Sequence, residues 1–194
     1  MNRKLLTAVT AATMAVGLSA CSYNESLGRN QLLLVNDASL ASAAQSAWGE
    51  ALSQKPLSRD PAANARVRAV GSRIVNAAGM GGQQWDYAVF VDETPNAFAL
   101  PGGKIGVNTG LLTLVANDDQ LAAVIGHEVG HTLAHHAAER MSQQAAAQIG
   151  LSVAQSALGG AAGSSRAQQI AALGGIGAQV GLLLPYSRKH ELEA

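Results

Sequence analysis

Four of the five histidines in this 194-residue chain fall within ten consecutive residues. Two of them, His127 and His131, are four residues apart, and Glu128 directly follows the first. Residues with this spacing share one face of a helix, so both imidazoles can bind one zinc ion. Glu128 lies about 100° further around the helix, where it can act as a general base rather than as a ligand. Because zinc lowers the pKa of a bound water toward 7, this motif predicts zinc-dependent hydrolysis with Glu128 as the catalytic residue.

A catalytic zinc site needs a third protein ligand and one open position. His135 lies about 12 Å beyond His127 along a straight helix, so it cannot join the first two ligands. The third ligand must therefore come from another element. Beyond this helix the candidates are His190, Glu191 and Glu193, and helical spacing leaves the choice among them open.

Hydropathy and turn signals predict which elements hold these residues in place. Capping residues and apolar repeats indicate helices, alternation indicates strands, and Pro101-Gly102-Gly103 indicates a hairpin. We expect an α+β fold in which a small antiparallel sheet with this hairpin packs against the metal helix and further helices, in a zincin-like arrangement. The predicted order is helix 37–55, helix 61–78, strand 85–92, strands 98–100 and 104–108, helix 110–116 and a long metal helix 119–148, followed by helical stretches around 149–157 and 170–180.

The first twenty residues are predicted to be a lipoprotein signal peptide. Arg3 and Lys4 precede an uncharged apolar run over 5–18, which is shorter than the roughly 20 residues of a membrane-spanning helix. Leu-Ser-Ala then precedes Cys21, the only cysteine in the chain. This pattern resembles bacterial lipoprotein signals and implies cleavage before Cys21 and lipidation of that residue. Ser22 then implies the outer membrane, with the protein facing the periplasm. The alternative is an ordinary signal peptide with an incidental cysteine.

Composition limits what the rest of the chain can be. With 48% hydrophobic and 13% charged residues, the chain is not of the disordered class. A formal net charge of zero and 4% aromatic residues argue against a nucleic-acid partner. Residues 21–36 are polar and are predicted to form an irregular tether, and 37–194 to form the domain with the zinc motif. The weakly charged segment 145–184 is predicted to form core or lid helices, with a membrane-touching hairpin or disorder as the alternatives.

Several motifs occur together with the metal motif and carry a resemblance to a known family. They are Asn96-Ala97-Phe98-Ala99-Leu100-Pro101-Gly102-Gly103, Ile105-x-Val107 with Gly110-Leu111-Leu112, His127-Glu128-Val129-Gly130-His131, and Ser187-Arg188-x-x-Glu191-x-Glu193-Ala194. Over residues 35–194 the chain resembles the CAAX prenyl endopeptidase and HtpX-like zinc metallopeptidases. Within that family it is most similar to the branch of periplasmic lipoproteins and BepA-like proteins.

This resemblance implies a gluzincin-type site with one Zn²⁺ per chain and Glu191 as the third ligand. It also implies that His136 supports a ligand without binding the metal. His190 and Glu193 are then neighbours of the site, expected at solvent-exposed helix positions. The family motif continues with aspartate after Glu-x-Glu-Ala, whereas this sequence stops at Ala194, so we expect the metallopeptidase domain to be C-terminally truncated.

The resemblance implies a zinc metalloendopeptidase that hydrolyses misfolded or unassembled envelope proteins. The segment Asn96, Ala97, Phe98 and Ala99 is predicted to bind an extended substrate by strand addition, and an ordinary structural hairpin is the alternative. The expected partners are unfolded or misassembled protein substrates, the membrane through the lipid anchor, and envelope assembly machinery. The alternative function is a catalytically weak metal-binding scaffold or a chaperone-like envelope lipoprotein. A structural zinc site with no open position is a third interpretation.

Overall fold

The computed structural model of the protein describes residues 21–157 and 187–194. The predicted signal peptide at 1–20 and the predicted helical stretch around 170–180 lie outside the described residues, as does most of the segment 145–184. In the part of the chain that is described, no helix is both long and apolar enough to cross a membrane. The roles predicted for residues 1–20 and for the segment 145–184 stay predictions.

Two short antiparallel strands, β1 (Cys21–Asn24) and β2 (Arg29–Leu32), come first. Gln31 in β2 is only 2% exposed, and its amide donates to the main-chain oxygen of Ala134 and to the carboxylate of Glu139, each at 2.8 Å. The predicted irregular tether is therefore wrong for this hairpin. Gln31 meets polar partners inside the protein instead of water, so its polarity alone does not reveal that it is buried.

The next two helices, α1 (Asp37–Gln54) and α2 (Pro61–Ala77), begin at side chains that cap their first turns. Asn36 and Asp60 each accept a hydrogen bond from a backbone N–H of the first turn, and such caps stabilise a helix by about 1 kcal/mol. Proline at the first position of α2 loses no hydrogen bond, because that N–H has no partner within the helix. The structure confirms both predicted helices.

The sheet has three strands, β3 (Asp86–Phe90), β4 (Ala97–Leu100) and β5 (Lys104–Asn108), in the order β3-β5-β4. β4 and β5 form the predicted antiparallel hairpin, whose turn has Gly102 and Gly103 at φ angles of 80° and 78°, a region that favours glycine. The prediction of a wholly antiparallel sheet is wrong, because β3 runs parallel to β5. The hairpin returns β5 into the space between β3 and β4, and apolar alternation carries no information about strand direction.

The predicted single helix over 119–148 is wrong. The chain leaves the helical conformation at His135, whose φ angle is 55°, a region uncommon for a residue other than glycine. One helix ends just before this bend, and another begins at His136 and runs on through the stretch predicted as a separate helix. The helices after the sheet are α3 (Thr109–Leu114), α4 (Asp118–Leu133), α5 (His136–Ala157) and α6 (Arg188–Glu193).

Two apolar clusters hold the sheet between helices. In the second, the ring of Trp48 on α1 meets Phe90 at 5.9 Å and Phe98 at 6.2 Å, both edge-on. Full burial of a large apolar side chain such as Trp48 contributes about 1.5–3 kcal/mol. This cluster therefore holds α1 firmly against the sheet on which α4 packs. The first cluster joins the sheet to α2 and α4 through side chains that are at most 1% exposed, namely Val67, Val70, Val89, Ile105, Val107, Leu121, Ile125 and Val129.

Candidate metal centre

Two helices meet at the predicted metal site. α4 carries His127, Glu128 and His131, and α6 carries Glu191. α4 is fixed by its packing on the sheet, whereas α6 has only six residues and begins at a cap, Ser187. The site is therefore built from one firmly held helix and one short helix that depends on its surroundings.

The close approach of α6 to α4 requires Gly130, which lies between the two histidines of the motif. A Cβ added at Gly130 would overlap the main-chain oxygen of Ala194 and would lie 3.2 Å from its carbonyl carbon. Glycine allows two backbones to come this close because it has no side chain. This contact places the carboxylate of Glu191 within reach of the two imidazoles.

The structure brings the three predicted ligands together. Nε2 of His127 lies 3.2 Å from Nε2 of His131 and 3.1 Å from Oε2 of Glu191. Nε2 of His131 lies 3.7 Å from the other oxygen of Glu191. Tetrahedral ligands at 2.0–2.1 Å from a zinc ion are about 3.3–3.4 Å apart. The three side chains therefore fit a single metal ion of this size, whereas His135 is not among the residues that could share it.

Burial shifts the pKa values of His131 and Glu128 on α4. It lowers the pKa of His131 to about 4, with contributions from nearby His127 and His136, so the imidazole of His131 is neutral near pH 7 and can offer a lone pair. Burial also raises the pKa of Glu128 to about 7, an increase that His127 opposes and Glu191 supports. A carboxylate with this pKa can accept and release a proton near neutral pH. A bound divalent cation would lower the pKa of Glu128 again.

His136, predicted to support a ligand, is fully buried beside His131. Its Nδ1 lies 2.9 Å from Nδ1 of His131, and its Nε2 lies 3.1 Å from Oε2 of Glu193. Burial lowers the pKa of His136, and the hydrogen bond to Glu193 opposes this change. The arrangement is one that can orient His131, and the role of His136 stays a prediction.

Comparison of the sequence with known protein families identifies the family of this chain. Residues 61–194, which include both helices of the site, match the sequence profile of Peptidase family M48. The chain belongs to Peptidase family M48. This membership confirms the resemblance to the HtpX-like and BepA-like metallopeptidases, and it identifies the chain as a member of a metalloendopeptidase family.

Three relatives show how far the similarity extends. The chain is 31% identical to Metalloprotease LoiP of Escherichia coli over 133 residues, which is 66% of this chain and 51% of that protein. It is 47% identical over 62 residues to Mitochondrial metalloendopeptidase OMA1 of Schizosaccharomyces pombe, covering 32% of this chain and 18% of that protein. It is 29% identical over 75 residues to a candidate beta-barrel assembly-enhancing protease of Vibrio cholerae, covering 39% and 16%. The M48 chain thus spans about half the length of LoiP and less than a fifth of the other two.

The sequence does not reveal a polar cluster beside the metal site of this M48 chain. His190 is 4% exposed, its ring stacks on His136 at 4.4 Å, and its Nε2 lies 3.3 Å from Oε2 of Glu139. Glu193 is 18% accessible and accepts hydrogen bonds from Arg29. The predicted solvent exposure is therefore wrong for His190 and Glu193. Their three-residue spacing, which places them on one face of α6, is the signal that could have indicated this, whereas nothing in the sequence indicates Arg29.

This second cluster also has metal-binding side chains. The ligand atoms of His136, His190 and Glu193 lie within 4.8 Å of one another. Arg29 already donates to both carboxylate oxygens of Glu193, and its positive charge opposes a cation there. We interpret the cluster as a hydrogen-bonded support for the first site rather than as a second metal site.

The predicted substrate-binding segment lies at the edge of the sheet, on β4. Asn96 is exposed, but Ala97 and Ala99 are 7% and 8% exposed. The ring of Phe98 stacks on Phe90 at 5.9 Å and so belongs to the core. The side chains of Ala97, Phe98 and Ala99 are therefore little available to a peptide, and contacts from this strand would use main-chain atoms.

Proposed function

We propose that this M48 chain is a zinc-dependent metalloendopeptidase of the gluzincin type, with His127, His131 and Glu191 holding one Zn²⁺. The proposal depends on one observation, the approach of Glu191 to within 3.1 Å of His127, which is 64 residues earlier in the chain. Two imidazoles and one carboxylate are ligands that suit zinc. The side chains of His127 and Glu191 are 36% and 45% accessible, whereas His131 is 3% accessible, so the site has a buried wall and an open side from which a substrate can approach.

Glu128 and His131 on α4 and His136 on α5 have distinct tasks in the proposed peptide hydrolysis. A zinc ion in this site would supply Lewis acidity and a water nucleophile at neutral pH. Glu128 accepts the proton of that nucleophile and later delivers it to the leaving amine. His131 stays neutral because it is buried, and His136 holds its ring in place through the hydrogen bond at Nδ1.

The edge strand β4 offers a surface for an extended peptide. The N–H of Asn108 donates to the carbonyl of Asn96 at 2.9 Å. Because hydrogen-bonded and non-hydrogen-bonded pairs alternate along an antiparallel ladder, the main-chain groups of Ala97 and Ala99 are directed away from β5. Strand addition at these two residues would bind the substrate backbone and tolerate many side chains.

The substrates we propose are misfolded or unassembled proteins of the bacterial envelope. The similarity to a candidate beta-barrel assembly-enhancing protease supports this class, and so does the lipoprotein-like sequence that ends at Cys21. In this proposal Cys21 is lipidated, and the protein faces the periplasm from the outer membrane, close to the envelope assembly machinery. Cys21→Ser should then release the protein from the membrane fraction of cells, and a variant that stays in that fraction would contradict lipid anchoring.

The enzymatic proposal is tested with the full chain loaded with zinc. Glu128→Gln removes the proton acceptor but keeps the ligands, so cleavage of unfolded casein should fall by about 10²–10⁴-fold. The zinc content of the variant, measured by atomic emission, should equal that of the wild type. A zinc-loaded Glu128→Gln chain that cleaves casein at the wild-type rate would exclude this mechanism. A wild-type chain that binds zinc but cleaves nothing would favour the scaffold alternative.

A further inference from the structure

One guanidinium group joins three parts of the protein around the metal site. Arg29, in the N-terminal hairpin, donates to both carboxylate oxygens of Glu193 on α6 at 2.7 and 2.6 Å. It also donates to both oxygens of Glu139 on α5, at 2.8 Å each. We call these three residues the Arg29 clamp. Their side chains are 7–18% accessible, and charge-assisted hydrogen bonds of this kind are roughly twice as strong as neutral ones.

The Arg29 clamp holds the helix that carries Glu191. A helix as short as α6 is not stable by itself, so its position depends on contacts with its neighbours. Glu193 lies two residues after Glu191 on this helix, and a restraint on one therefore limits the other. Without Arg29, the carboxylates of Glu139 and Glu193 would lose the cation that they share, and their repulsion would act to move α6 away from α5.

A second path leads from the clamp to His131. Oε2 of Glu193 is 3.1 Å from Nε2 of His136, and Nδ1 of His136 is 2.9 Å from Nδ1 of His131. A hydrogen bond between two such nitrogens needs a proton on one and a lone pair on the other. When Nε2 of His131 binds a metal, its proton is on Nδ1, so His131 donates to His136. His136 then carries its proton on Nε2 and donates it to Glu193, the carboxylate that Arg29 holds.

We infer that Arg29 is a positioning residue for the metal centre, which acts through Glu193 on both Glu191 and His131. The inference rests on the metal-binding part of the proposed function. Groups that orient metal ligands typically change metal affinity by 10–100-fold when they are removed. A purely structural ion pair would instead change the stability of the metal-free protein and leave the affinity of the folded protein unchanged.

The test compares two arginine variants of the full chain. Arg29→Gln removes the clamp, and Arg66→Gln is the matched control, because Arg66 pairs with Asp118 at 2.7 Å at the opposite end of the metal helix. The zinc dissociation constant is measured by competition with a chromophoric chelator, at a temperature where circular dichroism shows both variants folded. We expect it to rise by about 10-fold or more in Arg29→Gln and to stay at the wild-type value in Arg66→Gln.

A spectroscopic measurement separates positioning from stability. The visible absorption bands of the chain loaded with Co²⁺ report ligand geometry, and they should change in Arg29→Gln but not in Arg66→Gln. Arg29→Lys keeps the charge but not the planar fork, so it should restore part of the zinc affinity. A folded Arg29→Gln chain with wild-type zinc affinity and an unchanged cobalt spectrum would overturn the inference.

Glu193→Gln keeps Arg29 in place, so this single variant tests the same path even where Arg29→Gln does not fold: its zinc dissociation constant should rise by about 10-fold or more, and a wild-type value would overturn the inference. If Arg29 acts through Glu193, the variant that carries both Arg29→Gln and Glu193→Gln should bind zinc about as tightly as whichever single variant has the lower zinc affinity. Losses that add in the double variant would overturn the inference. Zinc affinity is measured without peptide cleavage, so the two proposals can fail separately. Arg29-dependent zinc binding without casein cleavage would refute only the proposed function, and casein cleavage with zinc affinity insensitive to Arg29 would refute only this inference.

Discussion

The approach of α6 to α4 leaves no room for a side chain at Gly130, so Gly130→Ala should displace Glu191. The new Cβ would lie 3.2 Å from the carbonyl carbon of Ala194 and would overlap its oxygen. Because carbon atoms pack best at about 3.5–4.0 Å, α6 must move by roughly half an ångström or more. Metal–ligand distances tolerate only about 0.2 Å, so we expect the zinc dissociation constant to rise at least tenfold, or about 1.4 kcal/mol.

A matched control lies one turn earlier on the same helix. A Cβ at Gly126 would meet nothing within 4 Å, so Gly126→Ala should gain about 1 kcal/mol of helix stability and keep the wild-type zinc affinity. Gly130→Ala makes the same change in helix propensity as Gly126→Ala. Its loss of zinc affinity should therefore not be accompanied by an equal loss of stability in the metal-free chain. Chelator competition gives the affinities, and urea unfolding of the metal-free chains gives the stabilities. Equal zinc affinity in the two variants would refute the argument that α6 positions the third ligand.

Three further outcomes follow from the structure. Trp48→Ala should lower the free energy of unfolding by about 3–5 kcal/mol, because Trp48 is 3% exposed and packs on Phe90; a loss below about 1 kcal/mol in urea unfolding would contradict this packing. Hydrogen bonds from Arg29 lower the pKa of Glu193 from 4.5 to about 2, so the stabilisation from this carboxylate is complete above pH 4.5 and is lost as the pH falls toward 2. Arg29→Gln should flatten that part of the curve of urea midpoint against pH, and an unchanged curve would argue against the ion pair. Zinc at 100 times its dissociation constant should stabilise the chain by about 2.7 kcal/mol, and Glu191→Ala should remove most of the melting-temperature change that a chelator causes.

Local signals predicted the parts of the fold that depend on neighbouring residues. Asp60 followed by proline marks the start of α2, and Gly102-Gly103 marks the turn of the β4–β5 hairpin. The four-residue spacing of His127 and His131 placed both imidazoles on one face of α4. The choice of Glu191 from three candidates came from family resemblance, because helical spacing cannot relate residues on different helices.

Features that depend on distant contacts could not be predicted in this way. No glycine or proline marks the bend at His135, which is stabilised where the amide of Gln31 binds the oxygen of Ala134. The parallel pairing of β3 with β5 depends on where the hairpin returns. Arg29 and Glu193 are 164 residues apart. The sequence alone does not distinguish a charged residue that forms an ion pair inside the protein from one that faces water.

The separation of the ligands along the chain has a consequence during protein synthesis. The imidazoles of His127 and His131 lie 64 and 60 residues before the carboxylate of Glu191, which completes the proposed ligand set. A nascent chain therefore carries both histidines long before the ribosome adds Glu191, and a product arrested or clipped between them would retain the motif without the complete ligand set. Contacts between such distant residues also form late in folding, so the proposed proteolytic activity would arise only after synthesis of this region is nearly complete.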